Sequence, residues 1–167
     1  MKEKIFRNYL ELKSFKDFKE VKKPSENYSV ELVNPKDFQL NKFFYKNIGK
    51  SYHWVDRLIW TDLDWIKYIS NEKLFTYILK DKSEIAGYFE LLFKKENKEA
   101  EIAYFGILEE YYGKKLGGYL LSKAIKFSFN LGSTRVWVHT CSLDHKNALL
   151  NYQSRGMKIF KSEILIR

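Results

Sequence analysis

Three glycines and two lysines fall within six residues, Gly113-Lys114-Lys115-Leu116-Gly117-Gly118. Directly after them the apolar spacing becomes helical, with Leu120, Leu121, Ala124, Ile125 and Phe127. A glycine-bearing turn at a helix N-terminus aims free backbone N–H groups outward, where the positive end of the helix dipole adds to them. Both favour an anion, above all a phosphate. The two lysines add point charges to the same turn. The chemistry implied is the holding of a phosphate-bearing cofactor. A tight turn that only needs positive φ would use the same glycines, so these residues alone leave both readings open. Cys141 and His139, two apart on a strand-like stretch, share a face. With no third member and no helix N-terminus behind them, a small buried cysteine is the simpler reading of that pair. Three histidines and one cysteine at these spacings make no metal site.

The glycine turn needs a strand before it and a helix after it, and the sequence supplies both. Glu101 to Leu108 reads as a strand. Strict alternation puts Ile102, Tyr104, Gly106 and Leu108 on one face and Glu101, Ala103, Phe105 and Ile107 on the other. The helix then runs over 117–130 and stops at Gly132. Residues 135–141, RVWVHTC, are β in composition. Strand, helix, strand is a βαβ unit, so those two strands should lie parallel and adjacent.

Upstream, 75–80 and 85–93 form a hairpin that leads by a charged turn into strand 101–108. Strands are also expected at 4–12, 28–33 and 158–166. Helices are expected at 14–21 behind Ser14, from Asp37 to Ile48, from Asp62 to Ser70 behind a Thr61/Asp64 capping box, and from an Asp144 cap to Gly156. The first two strands are read as neighbours. The whole is a mixed α/β sheet, mostly antiparallel, and not a doubly wound one. Residues 1–167 read as one domain, with 1–27 as an N-terminal strand and helix extension.

Composition narrows the class. The chain has 167 residues, 45% of them hydrophobic and 17% aromatic, which excludes a disordered chain. No apolar run is long enough to span a membrane, and the N-terminus lacks the pattern of a signal peptide. With Cys141 as the one cysteine, no internal disulfide forms, and a cytoplasmic location is expected. The net charge of +9 comes mostly from lysines scattered among acids. That pattern fits a solvated surface better than the basic stripe of a nucleic-acid face, though it would attract a phosphate-rich ligand.

Two motifs at the right separation make the chain resemble the GNAT superfamily of N-acetyltransferases, from about Val30 to the C-terminus. The superfamily's Arg/Gln-x-x-Gly-x-Gly/Ala signature corresponds to Tyr112-Gly113-Lys114-Lys115-Leu116-Gly117. Tyr112 stands for Arg/Gln, and Lys115 for the first glycine. The second motif, Asn-x-x-Ala-x-x-x-Tyr followed by Gly-Phe, corresponds to His145 through Tyr152 and then Gly156-Met157, with His145 in place of Asn. The segments HWVDRLIW and RVWVHTCSLDH also resemble a bacterial subgroup of the superfamily whose substrate is open.

The resemblance implies a sheet split between the two parallel strands, acetyl-CoA as co-substrate, and direct transfer of the acetyl group to an amine. It implies pyrophosphate held by residues 112–118 with His145 nearby, and the thioester laid along Phe105-Gly106-Ile107, where the Ile107 amide or a neighbour polarises the carbonyl. An alkylammonium with pKa about 10.4 costs about 4.6 kcal/mol to deprotonate at neutral pH, so a base matters. Glu101 is the implied base, with Glu90 on the neighbouring strand and His139 as alternatives. Tyr152 is the implied acid for the leaving thiolate. Trp54, Asp56 and Arg57, with Glu90 and the adjacent His53 and Trp60, fall where the superfamily shapes its acceptor pocket. A small-molecule or peptide amine is the implied partner, and a homodimer is left open. The rival readings are a non-catalytic acyl-CoA-binding module and a basic nucleic-acid-associated protein.

Overall fold

A computed structural model describes residues 1–167. In chain order the elements are β1 (Lys4–Leu12), a 3-10 turn (Phe15–Asp17), β2 (Tyr28–Leu32), α1 (Phe38–Gly49), α2 (Asp62–Ile69), β3 (Leu74–Asp81), β4 (Glu84–Lys94), β5 (Glu99–Ile107), a second 3-10 turn (Glu109–Tyr111), α3 (Leu116–Asn130), β6 (Arg135–Cys141), α4 (Ala148–Ser154) and β7 (Lys158–Ile166). One seven-stranded sheet takes the order β2-β3-β4-β5-β6-β1-β7. Every neighbouring pair is antiparallel except β5 and β6, which are parallel as their α3 crossover requires.

Successive side chains on β4 point to opposite faces, and their partners identify the two helical layers. Tyr88 stacks on Phe44 of α1 at 4.8 Å. Phe89 stacks on Tyr77, which stacks in turn on Phe127 of α3, at 4.9 and 4.8 Å. Hence α1 covers one face and α3 the other. The α1 layer enters through its caps. Asp37 accepts from the Gln39 amide, and Thr61 and Asp64 form the anticipated capping box of α2.

The sheet consists of two halves that meet only briefly. β5 and β6 pair at Glu99↔Arg135, Ala100↔Val136 and Glu101↔Trp137. Beyond that point β6 stays with β1 as far as Arg7↔Cys141, while β5 stays with β4 as far as Gly87↔Ile107. The two parallel strands therefore diverge, and the expected split is present.

Three expectations change. β1 and β2 are not neighbours: β2 is one edge of the sheet, and β1 lies between β6 and β7 at the far side. Leu10 and Leu12 face the core opposite Val138 and Val136, so β1 completes the second half-sheet. The helix expected over 14–21 is only the Phe15–Asp17 turn behind Ser14. Its backbone is used elsewhere. The Lys19 amide donates to Arg155 O at 3.0 Å, Arg155 Nε donates to Lys19 O at 2.9 Å, and the Val21 amide donates to Ser122 Oγ at 2.8 Å. Finally, α4 starts at Ala148. Asp144 caps the end of β6 instead, accepting from Thr140 Oγ1 at 2.5 Å and from the Cys141 amide at 3.0 Å.

Candidate active site

The divergence of β5 and β6 opens a cavity of about 920 Å³. Ile102 to Ile107 form one wall, and Val138, His139 and Cys141 the other. Tyr152 of α4 and the glycine turn are also part of its lining. No helix of the protein is long and apolar enough to cross a membrane.

The glycine turn matches its sequence reading in backbone terms. Gly113 has φ +78° and Lys115 has φ +61°. Lys115, the N-cap of α3, is thus a non-glycine residue in the left-handed region, at the position where the resembled motif carries glycine. The amides of residues 113 to 118 make no hydrogen bond within the protein. Gly118 packs closely. A Cβ there would lie 2.8 Å from Arg155 Nη1, so glycine leaves room for the Arg155 guanidinium beside the turn. Asn151 donates through Nδ2 to Gly117 O at 3.1 Å, and its Oδ1 accepts from Arg155 Nη1 at 2.9 Å. These unbonded amides, with the Arg155 guanidinium beside them, fit a pyrophosphate.

Side chains of the turn are used differently from one another. Leu116 is buried, and Lys115 and Tyr112 line the cavity, but Lys114 is not in its lining and places Nζ over the Tyr111 ring at 5.2 Å. Tyr112 shares a hydrogen bond with Tyr52 through the two hydroxyls. His145 lies edge-on to both rings, at 5.6 Å from Tyr112 and 6.1 Å from Tyr52. The residue at the Arg/Gln position thus joins the turn to the loop that follows α1.

Glu101 reaches the cavity through a bulge. Glu90 pairs with Tyr104 and Leu91 with Ile102, so Ala103 is an extra residue in β5. Strict alternation put Glu101 with Phe105. The bulge puts it instead with Tyr104 and Gly106, on the face that carries Glu90. Burial raises the Glu101 carboxyl above its ordinary value, partly offset by Lys94. Burial likewise raises the Tyr104 phenol, to about 12.

Tyr152 is buried, 6.4 Å from the Phe105 ring, and is part of the cavity lining. Burial and the Asp144 charge push its phenol well above the ordinary value. His139 sits at the cavity wall against Tyr9 at 5.6 Å and Trp137 at 6.5 Å. Desolvation and the Arg7 charge lower its pKa, so the ring is neutral at pH 7. Cys141 lines the same wall, but burial and Asp144 raise its thiol, the opposite of what a nucleophile needs.

Glu90 lies elsewhere. It is 0% exposed and outside the cavity lining. It accepts from Asn41 Nδ2 at 2.8 Å and from Tyr68 Oη at 2.5 Å, and it sits 3.6 Å from Arg57 Nη1. It ties α1, α2 and the loop between them to β4, standing behind Tyr68 and Arg57 of the cavity lining. Trp54, Asp56 and Arg57 do line the cavity, as does His53, while Trp60 packs behind Arg57. Arg57 is the centre of this group. Its guanidinium carbon lies 4.1 Å from the Tyr68 and Tyr104 rings and 4.7 Å from Trp60.

Sequence reasoning missed Asn151, Arg155, Tyr52, Tyr104 and Arg7. Asn151 in α4 and Arg155 at its C-cap stand at i,i+4 spacing, a readable signal once the last helix is set against the glycine turn. Arg7 and Tyr52 had no such signal, because they arrive from distant segments.

With this geometry in view, similarity to known proteins adds the family. The profile described as Acetyltransferase (GNAT) family matches residues 39–157, and the chain belongs to that family. Its members are acyltransferases and generally use acetyl-CoA. Among solved structures, a GCN5-related N-acetyltransferase from Sphaerobacter thermophilus shares the fold with TM-score 0.73 at 13% identity, over 97% of this chain and 50% of that one. A GCN5-related N-acetyltransferase from Kribbella flavida gives TM-score 0.68 at 12% identity, over 96% and 56%. An aminoglycoside acetyltransferase from an uncultured soil metagenomic sample, in complex with trehalose, gives 0.63 at 14%, over 80% and 90%. The chain thus spans about half the length of the first two. No curated protein matches the sequence.

Proposed function

We propose that this domain transfers acetyl from acetyl-CoA directly to an amine. The observation that carries the reading is the joining of a turn with free amides to a gap between parallel strands. One end suits a diphosphate, and the other leaves room for a thioester to meet a nucleophile. The amides of residues 113–118 and Arg155 would hold the pyrophosphate, and β5 from Phe105 to Ile107 would lie along the acyl arm. Bound acetyl-CoA would supply an activated acyl group.

In this reading the amine nitrogen forms the new C–N bond as the C–S bond breaks. Glu101 takes the amine's proton, directly or through water. Its raised pKa brings it nearer to an effective base at neutral pH. Tyr152 keeps its proton and donates a hydrogen bond to the departing sulfur. A phenol so far above the ordinary thiol range of about 8–9 stabilises the thiolate without handing over its proton. The sulfur is then protonated from solvent. His139, neutral and on the opposite wall, is the second candidate to accept the amine proton.

Titration calorimetry with acetyl-CoA, followed by thiol release over a panel of amines, tests the proposal. Saturable heat with amine-dependent thiol release is the expected result. No heat at high micromolar acetyl-CoA would overturn it. A second reading, an acyl-CoA-binding module without turnover, is favoured by the high Tyr152 phenol and by Tyr112 being bound to Tyr52. It predicts acetyl-CoA heat, no thiol release with any amine, and no effect of Tyr152→Phe.

A further inference from the structure

Two arginines flank the gap on one face of the sheet. Arg57 packs on Tyr104, which shares its face with Glu101. Arg7 lies across the gap on β1. It is on the face of Tyr9 and His139, opposite Leu10 and Val138, which point into the core. Both line the cavity.

Each guanidinium has an ion-pair partner but leaves a buried nitrogen without a hydrogen bond. The nearest carboxylates, Glu90 for Arg57 and Glu163 for Arg7, stand at 3.6 Å, beyond hydrogen-bond distance. Each carboxylate is also shared. Glu90 already accepts from Asn41 and Tyr68, and Glu163 accepts from Tyr9 Oη at 2.6 Å. Arg57 Nη1 and Arg7 Nε are buried with no hydrogen-bond partner. The Arg57 side chain is 10% exposed, and rings from α2, β5 and the preceding loop fix its plane. A guanidinium fixed in orientation and left with free donors is suited to a carboxylate or phosphate. Asp56, Glu101 and Asp144 are the acids of the cavity lining, against Arg7, Arg57, Lys115, Arg155 and Arg167. The lining thus carries more positive than negative charge, which disfavours a polycation.

We propose that the acceptor is an amine that also carries an anionic group, a carboxylate or a phosphate. Its amine meets Glu101, and its anion meets Arg57 and Arg7. The inference rests on the transferase reading and names its substrate class. It makes Arg57 and Arg7 specificity residues and excludes polyamines as good acceptors.

The experiment pairs amines that differ only in the anion: β-alanine against ethylamine, and phosphoethanolamine against ethanolamine, with spermidine as the polycation. Thiol release from acetyl-CoA is read beside quenching of tryptophan fluorescence without acetyl-CoA, a signal summed over four tryptophans that include Trp54 in the cavity lining and Trp60 next to Arg57. The expected result is a kcat/KM at least tenfold higher for one anionic member than for its plain partner, with quenching in the same order. Which pair responds distinguishes carboxylate from phosphate. Arg7→Gln and Arg57→Lys should reduce that advantage below threefold by raising KM while kcat stays within threefold. A purely structural role would instead slow both members of a pair alike. Equal use of each pair, or preference for spermidine, in thiol release or, where no amine turns over, in quenching, overturns the inference and leaves the transferase reading standing. Absence of acetyl-CoA heat overturns the transferase reading and the inference with it.

Discussion

Glu101 and Tyr104 point from the same face of β5 although they are three positions apart, because Ala103 is an extra residue that no β4 residue pairs with. A regular strand would have sent Glu101 to the α3 side. The one-residue irregularity is what sets the carboxylate in the cavity, beside the point where β5 leaves β6.

The role given to Glu101 has a signature in pH. The base acts when ionised, so thiol release should fall as pH drops through a pKa above the usual carboxylate range. Glu101→Gln should remove that limb and lower kcat by about 10²- to 10⁴-fold. The stability effect has the opposite sign. A carboxyl whose folded pKa is raised is protonated in both states at low pH, and its ionisation disfavours the fold above the unfolded pKa. Glu101→Gln should therefore melt no lower than the parent at pH 7. A lower melting temperature with an unchanged pH profile would assign Glu101 a structural role.

Tyr152→Phe removes one hydroxyl and little volume. If that hydroxyl donates to the departing sulfur, the loss is one hydrogen bond to a charged group, about 1.5–3 kcal/mol. This corresponds to about a 10- to 150-fold drop in kcat. The acetyl-CoA affinity from calorimetry should stay within about twofold, since the bond forms only as the thiolate appears.

Lys115 holds φ at +61° at the N-cap of α3. The left-handed region costs a residue with a Cβ about 1–2 kcal/mol relative to glycine. Lys115→Gly should stabilise the domain by about 1 kcal/mol over Lys115→Ala, which removes the same charge but keeps the strain. Chemical denaturation of the two variants gives the difference directly. Acetyl-CoA should bind both equally, because the amides do the holding.

Gly156 turns the chain from α4 into β7 at φ +102°. A Cβ there would lie 2.1 Å from Asp17 O, which is backbone and cannot swing aside. Gly156→Ala should cost about 2 kcal/mol or more. It should also weaken acetyl-CoA binding, because the same junction holds Arg155 against Lys19 O and beside the glycine turn.

Local chemistry made much of this protein readable. The capping box of α2, the β4 hairpin, the glycine turn and the α3 crossover each lie within a few residues of the signal that announces them. A strand-helix-strand unit allows essentially one handedness and one neighbour, so the parallel pair followed from the sequence, while its split was implied only by the family resemblance. Tertiary structure decided what depends on partners far along the chain. β1 could enter the sheet between β6 and β7 only once those strands existed, and its hydrophobic alternation names no neighbour. The segment after Ser14 gave up its helix because Arg155 and Ser122 offered its backbone better bonds. Glu90 and Glu101 are both strand glutamates, indistinguishable in sequence. A bulge set one in the cavity, while Asn41, Tyr68 and Arg57 closed around the other. Periodicity fixes which residues alternate, but only the register between strands fixes which way the alternation faces.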